Sequence, residues 1–266
     1  MTSVASASFT RFHAQRSVGE VKLGFGPRGV TVFREAGSAK LRLPKGANEA
    51  ILINTSGGLA GGDRQQIEIS VEEAASLAIT TQAAERVYRS LGPAAEIQNH
   101  LKVAKGASLS WLPQETILFE GAALARQMTV ELEEGASFLA LESFVFGRIA
   151  MGETLNTVHV RDRWDVKQSG KLMHAERLAF GPQLPRGKAA LGDAQAIATL
   201  LCIAPDLEQR AKALPQILGE QDGFSLWNGK GVARLVSDDG YSLKKKLARA
   251  VAALSGGKPV PYIWAF

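Results

Sequence analysis

Apolar and polar residues alternate along much of the first two-thirds of the chain, and the same short punctuation interrupts the alternation several times. Ile67, Ile69 and Val71 alternate with Glu68, Ser70 and Glu72; Leu101 and Val103 with His100 and Lys102; Met128, Val130 and Leu132 with Thr129 and Glu131. A period of two with one apolar face predicts a half-buried β-strand. Each run ends in a related heptapeptide: Val71-Glu-Glu-Ala-Ala-Ser-Leu77, Val103-Ala-Lys-Gly-Ala-Ser-Leu109 and Leu132-Glu-Glu-Gly-Ala-Ser-Phe138. A weaker fourth copy is Val166-Lys-Gln-Ser-Gly-Lys-Leu172, and Phe33-Arg-Glu-Ala-Gly-Ser-Ala39 has the outline of an earlier one. Gly106, Gly135 and Gly170 permit tight turns, after which Leu77, Ile79 and Thr81 share a face, as do Leu109, Trp111 and Pro113.

The copies lie roughly thirty residues apart, the spacing of stacked repeats that cannot bury a face alone. The expected fold is mainly β, a solenoid-like or β-helical stack of strand-turn-strand repeats. Such a stack leaves unpaired edges at its ends, which is a physical reason to expect a partner protein.

Near residue 190 the pattern changes. Leu200 to Ile203 reads as a short strand, and Pro205 suits the first turn of a helix. Phe224 to Trp227 and Val232 to Val236 form a hairpin around Asn228-Gly229-Lys230-Gly231. A last helix starts at Asp238 or Asp239, carries Leu243, Leu247, Ala250, Val251 and Leu254 on one side and stops at Gly256-Gly257. Residues 1–190 are therefore expected to form the repeat-built β body. Residues 191–266 form a small α+β part, βαββα, packed on it as one structural unit.

Composition narrows the function classes. Hydrophobic residues at 45% and charged residues at 21% suit a folded globular chain. The net charge of +5 is spread out, and its densest run, Lys244 to Lys246, lies mainly off the apolar stripe of its helix. Without a basic groove interleaved with aromatics, a nucleic-acid partner is not expected. No apolar run approaches the length of a membrane span. The single cysteine, Cys202, forbids an intrachain disulfide and reads as core, and the N-terminal stretch lacks the apolar segment of an export signal. A cytoplasmic protein follows as the expectation.

Gly57-Gly58-Leu59-Ala60-Gly61-Gly62-Asp63 follows an apolar strand as a phosphate loop would, but an alternating strand, not a helix, comes after it. It reads instead as a glycine-rich connection, or as a place where a partner's backbone approaches closely. The four histidines, His13, His100, His159 and His174, show no metal-ligand spacing, and His100 sits on the polar side of its strand. His174 shares a strand face with Glu176, either as a hydrogen-bonded, partly buried pair or in a functional role. Counting ten residues from the start of each repeat aligns Thr81, Pro113, Glu142 and Glu176. If the copies stack, the two glutamates point inward on neighbouring rungs, and they repel unless solvated, protonated or bridged by a cation. The alternative is that the inner face ends first and both reach bulk water.

Several blocks, taken in order, resemble the UreD (UreH) family of urease accessory proteins: Gly57 to Asp63, Thr80-Thr81-Gln82-Ala83-Ala84, Tyr88-Arg89-Ser90, Trp111-Leu112-Pro113-Gln114-Glu115, Gly147-Arg148 with Gly152-Glu153, Glu176-Arg177 and Trp264. The likeness runs from about residue 50 to the end. Ser56 stands where the family usually has proline, Tyr262 where it commonly has arginine, and Glu142 where it often has aspartate. The resemblance implies a solenoid-like scaffold without catalysis of its own. It implies direct binding to UreF, contact with the GTPase UreG through UreF, and docking on apo-urease for nickel insertion. It further implies no tightly bound cofactor but nickel in transit through a water-filled passage. The matching acids are Asp63, Glu142 and Glu176, with His174 beside the last. Gly58, Gly61, Gly62, Thr80, Thr81, Tyr88, Arg89, Arg148 and Glu153 are the motif residues that are candidates for partner contact.

Two other classes fit part of the pattern. Paired acids on a β-solenoid suit a carbohydrate-cleaving enzyme working by general acid/base chemistry, although only three tyrosines and four tryptophans are present to stack sugars. A purely structural adaptor would leave the acids without a metal role.

Overall fold

The computed structural model describes residues 15–148, 151–187, 190–258 and 260–264; His13 and most of the stretch read for an export signal lie outside them. Two β-sheets face each other. From edge to edge, the first sheet holds β14 (Lys171–Phe180), β13 (Val158–Gln168), β11 (Ala122–Leu132), β8 (Ala95–Val103), β5 (Arg64–Val71), β1 (Val18–Gly26) and β2 (Gly29–Gly37). The second holds β16 (Gly223–Trp227), β17 (Lys230–Ser237), β15 (Ala196–Ile203), β12 (Ser137–Phe146), β9 (Ser108–Trp111), β6 (Ser76–Thr81), β4 (Glu49–Asn54) and β3 (Ala39–Arg42). Two short strands, β7 (Glu85–Val87) and β10 (Thr116–Leu118), pair with each other, and β10 also pairs with β12.

Three heptapeptides do what their chemistry predicts. The chain crosses from the first sheet to the second at β5–β6, β8–β9 and β11–β12, and equivalent residues stack in parallel register. Val71 and Leu132 flank Val103, and Leu77 and Phe138 flank Leu109. Gly106 and Gly135 have φ of 66° and 73°, and Ala74 at the same repeat position is held at 59°. Glycine reaches that region without the steric cost a Cβ brings.

The weak fourth copy does not stack. Val166 to Leu172 closes an antiparallel hairpin, β13 on β14, within the first sheet. Ser169 and Gly170 both take positive φ, 48° and 80°, and two consecutive such residues make a turn that reverses the chain. The Phe33 to Ala39 run does cross between sheets, at Ser38, but its incoming strand β2 is the return arm of a hairpin with β1.

In the C-terminal part, β15 pairs antiparallel with β12 and continues the second sheet, followed by β17 and β16. The hairpin turns at Asn228-Gly229, both at positive φ. Helix α1 (Leu207–Ala211) and helix α2 (Gly240–Leu254) cover the outer face of this sheet; Asp239 caps α2 by accepting from the Ser242 amide at 2.8 Å. The predicted stripe from Leu243 to Leu254 packs on Leu139, Leu141, Leu200 and Cys202. Burial pushes the Cys202 thiol up to about 12, so it is core, as read. No helix among the described residues is long and apolar enough to cross a membrane.

Candidate functional site

The space between the sheets is apolar near the tight turns, apolar again towards the long connections, and polar in between. The inward stripe of β8 runs Ala95, Ile97, Asn99, Leu101, Val103; that of β11 runs Leu124, Arg126, Met128; that of β13 runs Val160, Asp162, Trp164. From the second sheet Glu142 interrupts Ala140 and Phe144 on β12, and Thr199 lies across from it on β15. Leu101, Met128 and Trp164 belong to one apolar cluster, and Ile97, Leu124 and Val160 to another.

Arg126 organises this row. Its Nη1 lies 2.5 Å from Glu142 Oε2, while Nη2 and Nε reach the two oxygens of Asp162 at 2.7 and 3.2 Å. Thr116 Oγ1 accepts from Nη1 at 3.3 Å, and the guanidinium stacks 5.0 Å from the centre of the Phe144 ring. Indole N–H groups complete the set: Trp111 donates to Glu142 at 3.1 Å and Trp164 to Asp162 at 3.3 Å. All three charged residues are buried. One guanidinium thus serves two carboxylates. Burial pushes the Glu142 carboxyl up to about 7 against the pull of Arg126, with Asp162 adding to the rise. Arg126 itself would be lowered by burial, but Asp162 and Glu142 raise it above its ordinary value.

A cavity of about 250 Å³ opens beside this cluster, lined by Asn99, Trp111, Arg126 and Glu142 inside and by Gly57, Gln82, Ala83 and Arg86 at the exposed end. Glu85 lines it too. Asn54 Nδ2 holds both Glu85 carboxylate oxygens at 3.2 Å, and burial pushes this acid up to about 7. Glu142 also lines a second space of about 10 Å³, room for one water, shared with Asp162, Glu176 and Thr199.

Glu142 and Glu176 both face inward, but not on neighbouring rungs. Glu142 is on the second sheet and Glu176 on β14 of the first, across the smaller space. The repeat count placed them side by side because it treated the β13–β14 hairpin as a crossing. Glu176 is bound by Arg234 at 2.6 Å, and Arg234 also donates to Thr199 at 2.8 Å. Burial would raise the Glu176 carboxyl, but Arg234 and the Arg177 amide, both bonded to it, hold it below its ordinary value. His174 Nε2 lies 3.8 Å from Glu176, too far for a hydrogen bond, and has no hydrogen-bond partner among the described residues. Asp63 stands apart. Its oxygens accept from the Ala60 amide at 2.7 Å and the Ser17 amide at 2.8 Å, which pins the glycine loop to the start of β1.

The glycines of that loop make room for the chain's own next connection rather than for another molecule. Leu59 bridges to Val87 in parallel, and a Cβ on Gly58 would sit 2.4 Å from the Tyr88 ring. One on Gly61 would sit 1.9 Å from Ser90 Oγ, whereas Gly62 is at φ 87° with looser surroundings. Tyr88 returns a hydrogen bond to the Gly57 carbonyl and meets Phe119 edge-on at 5.1 Å. Arg148 lies 4.7 Å over the Phe119 ring and is held by Glu153 at 3.0 Å. Arg89 bridges to Ala122. Thr80 donates to the Leu112 carbonyl and Thr81 accepts the Gln114 amide, locking adjacent rungs. Of these block residues Gly57, Gly58 and Thr81 line the mouth of the cavity, while Tyr88–Ser90, Gly147, Arg148, Gly152 and Glu153 lie in the other connections between the two sheets.

Arg126, Asp162, Asn99 and Glu85 escaped the sequence reading. A signal was present for three of them: each is a lone polar residue in an otherwise unbroken period-two apolar stripe. Glu85 carries no such mark. Among the described residues, no three His, Cys, Asp or Glu side chains are grouped to hold a metal ion.

The chain is thus a two-sheet solenoid whose core is crossed by a charged row and adjoined by a cavity that the glycine loop lines in part. The profile of the UreD urease accessory protein family matches residues 17–265. A Urease accessory protein UreD of Brucella suis is 43% identical over 258 residues, covering 92% of each chain. The protein of that name from Mesorhizobium japonicum is 43% identical and covers 99% of each. A Urease accessory protein UreD 1 of Brucella anthropi is 45% identical over 246 residues, 87% of each. The chain belongs to the UreD family.

Proposed function

We propose that this protein acts in urease maturation as a non-enzymatic scaffold and conduit, linking UreF, and through it UreG, to apo-urease while nickel passes through its interior. The observation that carries the reading is the charged row between the sheets, adjoining a cavity that opens among the family blocks. Polar groups in a β core cost stability unless they are satisfied, so a row of them calls for a use other than packing. Oxygen donors hold nickel less tightly than imidazole or thiolate clusters do, and a route has to release what it accepts.

A glycoside-cleaving site needs two carboxylates reachable by a sugar chain. Glu142 and Glu176 are buried, and each is held by an arginine. The adaptor reading predicts the same partners without a metal phenotype.

The test is co-expression with UreF and apo-urease, followed by size exclusion and nickel per urease active site. Glu142→Ala with Glu176→Ala is expected to leave the complex intact and to lower nickel content and activity. Full loading by that double variant refutes the conduit role; loss of the complex shows instead that these residues support packing or docking.

A further inference from the structure

On the outer face of the first sheet, cations are matched by acids along most of its width. Lys22 pairs with Glu68 at 3.0 Å, Arg34 with Glu20 at 3.7 Å, Arg64 with Glu96 at 3.4 Å, Lys102 with Glu131 at 3.2 Å, and Arg177 with Asp165. Two arginines break the pattern. Arg161 and Arg163 are exposed on β13 and have no acidic partner among the described residues. The register shows why. Arg161 stands between Ala125 on β11 and Ala179 on β14, and Arg163 between Gln127 and Arg177. A like charge directly opposite is destabilising, and Arg177 is already committed to Asp165. Alternation puts both free guanidinium groups on one face, roughly 7 Å apart along the strand.

The surface beside them is shaped as well as charged. A groove of about 520 Å³ runs alongside, floored by Ala94, Ala123, Ala125 and Ala179, with His159 and Arg161 at its side. Side chains this small let another main chain come close to the sheet. No outward position of β5, β8, β11, β13 or β14 is aromatic, and Glu96 and Asp165 share the face. A nucleic acid would find no stacking platform there, and its phosphates would meet carboxylates.

We propose that this part of the outer face docks an acidic segment of a protein partner, with two of its carboxylates on Arg161 and Arg163 and its main chain over the small-residue groove. The guanidinium fork matches a carboxylate with two parallel hydrogen bonds. Charge pairing on an open face guides encounter and orientation, and salt screens it. That the partner belongs to the urease-maturation assembly rests on the reading above; its acidic chemistry does not.

The test uses the full chain bound to UreF, titrated with apo-urease by surface plasmon resonance at low and high salt, with retention of UreF read by gel filtration. Arg161→Glu with Arg163→Glu is expected to weaken one of the two associations at least ten-fold at low salt, chiefly in the association rate, with the urea midpoint unchanged. The matched cations serve as the control: Lys22→Glu with Arg64→Glu should change either association less than two-fold. Arg161→Lys with Arg163→Lys keeps the charge and adds amines, which a carbodiimide joins to carboxylates; mass spectrometry should find an Asp or Glu of the partner linked at these two positions. The proposal is overturned if the wild-type complex forms and the double reversal leaves both associations unchanged, if the control weakens them equally, or if no partner acid is linked at 161 or 163. Loss of co-purifying nucleic acid alone overturns it in favour of a phosphate partner. A wild type that binds neither protein sinks the maturation reading, and this face then loses its partner with it.

Discussion

On the tight-turn side of the polar row the interior holds Leu101, Met128, Val130, Trp164 and Phe138, all nearly inaccessible. One residue further along the same inward stripes stand Asn99, Arg126 and Asp162, also buried. The turns below are short and alike, while the connections above are long, different from one another, and carry most of the family blocks. The lower half shows what the repeat needs in order to fold. The row above it shows what the repeat has been made to carry, since a buried ion cluster is a poorer source of stability than apolar packing of the same volume.

The sharpest way to break this comparison is to remove one member of the row. Arg126→Met leaves Glu142 and Asp162 buried without their cation and is expected to cost about 3–5 kcal/mol in urea unfolding. Replacing all three residues by apolar ones, Arg126→Met with Glu142→Leu and Asp162→Leu, should recover most of that loss and still yield a protein that delivers no nickel. A triple variant as unstable as the single one would show that the row supports the fold itself.

Glu85 allows a pH test. Its carboxyl lies at about 7 in the folded protein against an ordinary 4.5, so folding favours its protonated form. That contribution is full below pH 4.5 and is lost as pH rises to 7. Glu85→Gln should therefore be more stable than the wild type by about 1–3 kcal/mol at pH 8 and indistinguishable from it near pH 4. An equal gain at both pH values would place its cause in packing rather than ionisation.

The smallest expected effect lies in the tight turns. Ala74 adopts φ 59° where its two counterparts are glycines, so Ala74→Gly should stabilise by about 0.4–1 kcal/mol, and Gly106→Ala should cost a similar amount. Neither should alter nickel delivery, because the turns lie at the far end from the opening. A delivery defect in either would erase the distinction between the two ends.

Much of the architecture was readable from local pattern. Period-two stripes, turn glycines and the cap at Asp239 depend on a few neighbouring residues, and backbone sterics decide them wherever the chain runs. The three stacked heptapeptides, the Asn228-Gly229 hairpin and the face of α2 were accordingly legible. The fourth heptapeptide was not, because moving its glycine one place along, to Gly170 after Ser169, turns a crossing into a reversal. That single step placed Glu142 and Glu176 on opposite sheets.

Alternation tells which side of a strand a residue occupies, but not what faces it. That Arg126 finds Asp162 beside it in register and Glu142 across the layer depends on how whole rungs stack. That Asp63 spends its carboxylate on the Ala60 and Ser17 amides depends on where the glycine loop meets β1. By itself the sequence determined the repeat, its turns and its family. Only the tertiary structure decided which charges share one guanidinium, because Coulomb energy and desolvation depend on distances between segments far apart in the chain, and no local period encodes those distances.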